Sequence, residues 1–404
     1  MVQMNETTHA TRGVERGCHA DKVAAHWRRL GAAPGVRDQL LDRLTLETKG
    51  CYEGNIENFI GTARLPMGLA GPLRVCGAHA RGAYWVPLAT TEATLVASYC
   101  RGAKLITDAG GCAVSVLDEG VTRSPAFAFA SIEEACRFLD WVRASRPALE
   151  NVAAGTSRYG RLIGIDSTIE ANHIYLDFKF TTGDASGQNI VTIATHAVCR
   201  YIMDNSPVRA QYHFVESNHS GDKKASARSL FSVRGRRVSA EVTIPADLVH
   251  RRLHTDVLRM TDYWRTAVIG GVLSGTIGVQ GHYANGLAAL FIACGQDVAC
   301  VAEAAIGVTR FEQNGNGDLY AAVTLPNVIV GTVGGGTGLP SQSACLELLG
   351  VAGTGGAPAL AEICAALALA GELSIIGALC ADEFAAAHQH HARGKINSAS
   401  LQGA

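Results

Sequence analysis

The amino-acid sequence predicts an α+β fold in which a large, mainly helical part is interrupted by a small inserted unit of element order βαββαβ. Three observations carry that expectation. At 404 residues the chain exceeds one ordinary domain, so two unequal domains or a core with a large insertion are expected. Hydrophobic residues make up 48% and charged residues 18%, a balance suited to a large buried core and not to disorder. Between residues 126 and 215 the hydrophobic period alternates between that of a strand and that of a helix, in the order of a ferredoxin-like fold.

Residues 1–20 read as a loose tail. Val23, Trp27 and Leu30, then Leu40, Leu41 and Leu44, recur at helical spacing, broken at Gly31 and Pro34. A loop-rich stretch follows, with Gly54, Gly61, Pro66, Gly68, Gly71 and Pro72, before Thr90-Thr91-Glu92 leads into the helical run LVASYCRGAKLI. A short strand over 126–130 precedes Ser131 and Glu134, a capping box opening a helix to about residue 146. Residues 161–170 and 172–182 alternate as strands, with Ile174, Leu176, Phe178 and Phe180 on one face. A helix over 186–204 and a strand over 211–215 complete the unit. Beyond the polar segment SNHSGDKKASARS the pattern predicts a strand pair and a helix over 246–266. Glycine-spaced apolar helices are then expected to the end, interrupted at 331–338 and 350–356.

Net charge is −1, from 35 Lys+Arg against 36 Asp+Glu, and no basic stripe or acidic tail points to nucleic acid or a membrane surface. Any anion site must therefore be built locally. The twelve cysteines lie scattered in apolar segments with no CxxC pair, and the opening MVQMNETTHATRG has no apolar signal core. Reduced, mostly buried thiols in a soluble cytoplasmic protein without a membrane anchor are expected. The most apolar stretch, 357–381, carries Glu362 and Glu372 and reads as a buried helix rather than a membrane span.

Several segments have the composition of a ligand site. Gly183-Asp184-Ala185-Ser186-Gly187-Gln188-Asn189 joins a strand to a helix, with Asp184 as N-cap and free helix-start N–H groups for an anion. The same segment reads equally as an ordinary capped turn, and it is not the GxGxxG fingerprint of a Rossmann site. Gly331-Thr332-Val333-Gly334-Gly335-Gly336-Thr337-Gly338 lies between an apolar strand and an apolar helix, which favours a ligand-facing loop over a flexible linker. Glu92, Asp222-Lys223-Lys224, Asp297 and His388 are oddly placed ionisable groups, although surface or structural duty suits any one of them alone. Asp297 follows an apolar helix, whose C-terminal end would raise its pKa. His388, His390 and His391 have no partner cluster of Cys or His, so no metal site is expected.

Together these segments resemble the catalytic portion of the 3-hydroxy-3-methylglutaryl-CoA (HMG-CoA) reductase family, class I members more closely, from Glu57 to the C-terminus. ENFIGTARLPMGLAGPL (57–73) is similar to the family's substrate loop, TTEATLVASYCRGAK (90–104) to the segment of its catalytic glutamate, DKK (222–224) to that of its lysine and FIACGQD (291–297) to that of its aspartate. The resemblance implies catalytic roles for Glu92, Lys223, Asp297 and His388. It implies NADPH contacts at Ser157, Arg158 and Tyr159 within TSRYGR, at Asp184, Ser186, Gly187, Gln188 and Asn189, and at Gly334, Gly335 and Gly336. Substrate contacts are implied at Arg101, Arg123, Asp222, Lys224, Arg265 and Asn285. Arg158 would select NADPH by forking onto its 2′-phosphate.

The implied fold has an N-terminal helical segment (1–56) and a large domain around a central helix (57–124 and 217–404). A ferredoxin-like cofactor domain is inserted at 125–216. Homodimers or homotetramers with active sites at the subunit interface are implied, with an acyl-CoA as the small-molecule partner. The implied reaction takes a thioester to a hemithioacetal, releases CoA thiol, and takes the aldehyde to an alcohol. Lys223 would stabilise the developing oxyanion, Glu92 would donate the proton with its pKa raised by a neighbouring Asp297, and His388 would protonate the thiolate.

The sequence departs from the family at a few of these positions. Ser186 and Gln188 stand where methionines are usual, Ala93 where glycine is, and Arg265 where a lysine is. Glu216 falls where a serine is expected, unless Ser217 replaces it with a small shift, and a glutamate there would repel an acyl carboxylate. A relative that reduces another acyl-CoA thioester is the alternative reading, and a non-catalytic binding relative a third.

Overall fold

The computed structural model describes residues 18–384. Three short helices open it, α1 (Ala20–Leu30), α2 (Pro34–Leu40) and α3 (Arg43–Glu47). Val23 and Trp27 of α1 form a small separate core with Cys18, Leu41 and Phe59 from the flanking segments. Strands β1 (Met67–Gly77) and β2 (Arg81–Ala89) follow, then helix α4 (Leu95–Asp108) and strand β3 (Cys112–Arg123). The next stretch runs β4 (Ala126–Ala128), α5 (Ile132–Ala144), α6 (Arg146–Ala154), β5 (Arg161–Glu170), β6 (His173–Thr181), α7 (Gln188–Asn205) and β7 (Tyr212–Phe214). The chain continues through β8 (Gly235–Ile244), α8 (Ala246–Leu253), α9 (Val257–Ser274), α10 (Tyr283–Ala293) and α11 (Val301–Ala304). It ends in β9 (Val308–Gln313), β10 (Leu319–Val328), α12 (Pro340–Leu348) and α13 (Ala357–Cys380).

The strands order β7-β4-β6-β3-β8-β10-β9, with β1 beside β3, β2 beside β1 and β5 beside β6. Strand β3 joins two groups. Its first part, to Gly120, pairs with β8, whereas Val121, Thr122 and Arg123 pair with β6. All pairs are antiparallel except β1 with β3. The chain leaves β3 at Ser124 and returns beside it, because both the backbone N–H and the hydroxyl of Ser217 donate to the Ser124 carbonyl, at 3.0 and 2.7 Å.

Helix α13 is the centre of the packing. Its 24 residues are apolar enough to cross a membrane by length and composition, yet 89% of its most apolar window is buried inside this fold. Two close approaches set its neighbours. A methyl at Gly102 of α4 would overlap the Ala370 carbonyl, and one at Gly286 of α10 or Gly371 of α13 would overlap the Tyr99 ring. Glycine at these points lets three helices converge on Tyr99, whose hydroxyl donates to the His282 carbonyl and accepts from the Gly286 N–H. Both carboxyl groups of α13 take hydrogen bonds from nearby donors, although Oε1 of Glu362 has no partner. Glu362 accepts from the N–H groups of His79 and Ala80, at 3.0 and 2.6 Å. Glu372 accepts from Gly281, His282 and the Thr309 hydroxyl, at 2.9, 2.6 and 2.8 Å.

Several expectations are corrected. The part outside 125–216 carries, beside its helices, a sheet of β1, β2, β3, β8, β9 and β10 packed against α13. The stretch at 67–77, expected as loop, is strand β1, whose pairing shifts between Ala70 and Leu73 so that Gly71 and Pro72 fit. The helix from residue 131 ends at Ala144, and α6 restarts it with Pro147 in its first turn. The capping box is present in altered form. The Ser131 hydroxyl accepts from Glu134 N–H at 3.2 Å, while the Glu134 carboxylate takes the N–H of Ala130. The helix expected over 246–266 breaks at His254, in the left-handed conformation, and restarts at the Asp256 cap. A single long strand, β8, replaces the expected pair.

Candidate active site

Lys223 lies in the loop between β7 and β8 with φ at 56°, a left-handed conformation unusual for a residue with a long side chain. Its ammonium reaches Asp297 Oδ2 at 2.7 Å. Asp297 follows α10 and caps the short 3-10 turn Val298–Cys300 by accepting from Ala299 N–H at 3.1 Å. It also accepts from Gln188 Nε2 at 3.3 Å. The expectation of a raised Asp297 pKa fails for this reason. Burial pushes it up, but the hydrogen bond and charge of Lys223, helped by the N–H donors, outweigh burial and hold the carboxyl below its ordinary 3.8. The same hydrogen bond to Asp297 raises Lys223 above the usual lysine value.

This ion pair stands at the edge of a cleft of about 490 Å³ lined by Ser186, Gly187, Gln188, Asn189 and the Gly334-Gly335-Gly336 loop. Both glycine segments are anchored from behind. The Gln296 side chain accepts from Gly331 N–H at 2.8 Å and donates to its carbonyl at 2.9 Å. Asp184 is not the N-cap of α7, which is Gly187 with no side-chain cap. Its carboxylate instead accepts from Gly355 and Ala357 N–H, at 2.8 and 3.2 Å, pinning the loop to the start of α13. The first turn of α7 thus keeps N–H groups without a side-chain cap toward the cleft. Gly334 and Gly335, at φ 73° and 55°, have open space where a side chain would stand. These features fit a dinucleotide phosphate. Arg158 and Tyr159 are exposed and Ser157 half-buried, and the next residue, Gly160, packs on Ile190, itself a lining residue of the cleft.

Glu92 lies elsewhere. It follows β2 and lines a second cleft, of about 430 Å³, with Arg101, His282 and Asn285. Asn285 Nδ2 donates to Glu92 Oε2 at 3.0 Å. Arg101 is held by Ser374, through Nε to the hydroxyl at 3.1 Å and Nη2 to the carbonyl at 2.7 Å. The expected juxtaposition of Glu92 with Asp297 does not occur within the chain, because Asp297 is turned toward Lys223. Arg265 lies on α9 paired with Asp262 at 2.9 Å, exposed and outside both clefts. His388, His390 and His391 lie outside the described residues.

The remaining substrate candidates form a network behind Lys223. Buried Arg123 donates from Nη1 to Glu216 at 3.0 Å and to Asp222 at 2.9 Å. Glu216 also accepts from Asn218 N–H at 2.8 Å and from the Ser220 hydroxyl. Its charge is therefore taken up inside the protein, which corrects the expectation of bare repulsion toward an acyl carboxylate. Lys224 is exposed and donates to the Asp222 carbonyl at 2.9 Å.

A profile of the hydroxymethylglutaryl-coenzyme A reductase family matches residues 25–393. The chain belongs to that family. It is 42% identical to 3-hydroxy-3-methylglutaryl-coenzyme A reductase of Methanothermobacter thermautotrophicus, over 89% of this chain and 90% of the relative. Identity to the Aeropyrum pernix enzyme of the same name is also 42%, with coverage of 89% and 90%. In fold it is similar to the class II HMG-CoA reductase of Streptococcus pneumoniae bound to NADPH in open conformations. The TM-score is 0.67 at 19% identity, covering 89% of this chain and 96% of that one.

Two residues at the candidate clefts went unread in the sequence. His282 is 8% exposed, lines the Glu92 cleft and has no hydrogen-bond partner on Nε2. Its spacing from Asn285, three residues, was the available signal. Gln296, within CGQD, had no signal beyond its place beside Asp297.

Proposed function

We propose that this protein reduces HMG-CoA to mevalonate and CoA, consuming two NADPH. The observation that carries the reading is the Lys223–Asp297 pair at the edge of the glycine-lined cleft. NADPH supplies the hydride for each of the two reductions. Lys223 places a fixed cation, held charged by Asp297, where the carbonyl oxygen gains negative charge. Glu92, oriented by Asn285, gives that oxygen its proton. His388 protonates the CoA sulfur as it leaves, and the resulting aldehyde accepts the second hydride. Asp222, Lys224, Arg123, Arg101 and Asn285 hold the acyl and CoA ends, and Arg265 does so only if a second subunit brings its α9 to the site. Ser157, Arg158 and Tyr159 take the 2′-phosphate.

The 125–216 segment is read as an inserted ferredoxin-like cofactor domain. Its strand order β5-β6-β4-β7, antiparallel throughout, supports this. Residues 1–56 then form the N-terminal segment, and 57–124 with 217–404 the large domain. The active unit is a homodimer or a pair of dimers, with each site shared between subunits. Two observations support that arrangement: Glu92 and Lys223 line separate clefts of one chain, and α9 exposes Ile269, Val272 and Leu273. Twelve free thiols suit the reducing cytoplasm.

The test is NADPH oxidation followed by absorbance, crossing NADPH and NADH with HMG-CoA and related thioesters. Oxidation with another acyl-CoA and none with HMG-CoA would overturn the substrate and leave the reaction class standing. The position of Arg265, paired with Asp262 away from both clefts, is the feature that favours that second reading.

A further inference from the structure

Behind Lys223 stands a carboxylate that no part of the reaction uses. Glu303, on α11, is fully buried. One of its oxygens accepts from the backbone N–H of Lys223 at 3.3 Å, and the other from Arg234 Nε at 2.7 Å. Arg234 is the largest fully buried side chain among the described residues. Its other nitrogens donate to Asp222 Oδ1 at 2.7 Å and to the Thr122 carbonyl. Two consecutive residues of the loop, Asp222 by its side chain and Lys223 by its backbone, are thus tied to one buried ion pair.

Such a pair is poor value for stability alone, since apolar side chains of similar volume often serve as well. It does suit a segment that must hold an unfavourable conformation. Lys223 at φ 56° is in the left-handed region, which an L-residue leaves unless its surroundings over-determine it. The ammonium then meets Asp297 at 2.7 Å. Turning the backbone of Lys223 back to the right-handed region would redirect its side chain.

We infer that Glu303, braced by Arg234, is a positioning residue that holds Lys223 in its left-handed conformation and so aims the ammonium at Asp297 and the reacting carbonyl. The inference rests on the role given to Lys223 above.

The experiment compares Glu303→Leu and Lys223→Ala with the parent full-length enzyme, assayed with HMG-CoA and NADPH, with folded protein quantified by near-UV circular dichroism. Glu303→Leu is expected to lower kcat per folded site by roughly tenfold, the scale of the left-handed conformational preference, with KM for NADPH unchanged. A parental kcat in Glu303→Leu beside an inactive Lys223→Ala overturns the inference alone. Full activity in both overturns the role of Lys223 and the inference with it.

If Glu303→Leu does not fold, a pair in an Arg234→Met background decides. There Glu303→Gln keeps an acceptor for the Lys223 N–H and Glu303→Leu removes it, while both lack the ion pair. A higher kcat for the glutamine form at equal melting temperature supports positioning, and equal kcat overturns it.

Discussion

Replacing Glu372 by glutamine tests how the core of α13 carries an ionisable group. Burial pushes this carboxyl from its ordinary 4.5 up to about 7, with Thr309, Gly281 and His282 only partly offsetting it. A raised folded value means that, between those two pH values, the folded protein keeps a proton the unfolded chain has released. Stability is then greatest below the unfolded value and is lost as pH rises through the folded one. At about 1.36 kcal/mol per tenfold in proton affinity, the window costs about 3 kcal/mol. Glutamine cannot ionise, yet its shape fits. Its carbonyl accepts from Gly281 and His282, and its amide donates to the Thr309 hydroxyl, which then donates to Tyr283 Oη, 2.9 Å away. The variant should match the parent within about 1 kcal/mol near pH 5 and exceed it by about 3 kcal/mol near pH 8. Urea unfolding followed by tryptophan fluorescence, at fixed protein concentration across that range, measures the difference. A parent-to-variant gap that does not change with pH would refute the argument. So would a variant less stable than the parent on the alkaline side, which would show the donors favour the anion.

Three other outcomes are expected. Mixing Glu92→Gln with Lys223→Ala subunits, each inactive alone, should restore up to about a quarter of parental activity if two subunits complete each site; no recovery after verified subunit exchange would confine the site to one chain. Arg158→Ala should raise KM for NADPH roughly tenfold and leave NADH kinetics unchanged, read by steady-state assay with both nucleotides. Gln188→Met removes one donor to Asp297, whose carboxyl lies below its ordinary value because Lys223 and its N–H donors outweigh burial. The ion pair is present above the unfolded 3.8 and lost as pH falls through the lower folded value, so the acid limb of the kcat profile should move to higher pH in the variant.

The elements of the 126–215 segment were legible chiefly because β6 alternates buried Ile174, Leu176, Phe178 and Phe180 with less buried neighbours. Strand β5 has the expected bounds, and β6 and α7 differ by a residue or two. Strand β9 was lost among apolar helices and only the end of β10 was legible, as the apolar strand LPNVIV, because YAAVTL carries alanines at both buried and half-buried positions, and alanine favours helix while filling a strand face equally well. Strand β1 was hidden by Gly71 and Pro72, which sit at a register shift that local sequence does not announce. Among site residues, the motif positions were readable one by one. Their grouping was not, because Asp297 is claimed by Lys223 and Asp184 by the start of α13 across long sequence separations. Glu216 read as a repulsive charge only while its partner Arg123, 93 residues earlier, was out of view.

The joint at Ser124 and Ser217 has a consequence for how such a chain can change. A segment whose entry and exit are hydrogen-bonded neighbours leaves the end of β3 beside the start of the Lys223 loop. What lies between can vary where it does not touch the host, while Asp184, bonded to Gly355 and Ala357, and Gln188, bonded to Asp297, must keep their places. The loop bearing Lys223 begins just past that stem and is bolted to the host through Asp222 and Glu303. On the proposed reading of residues 125–216 as the nucleotide domain, surfaces of that domain away from Gln188 can change without moving the lysine, which Asp222 and Glu303 hold from the host side.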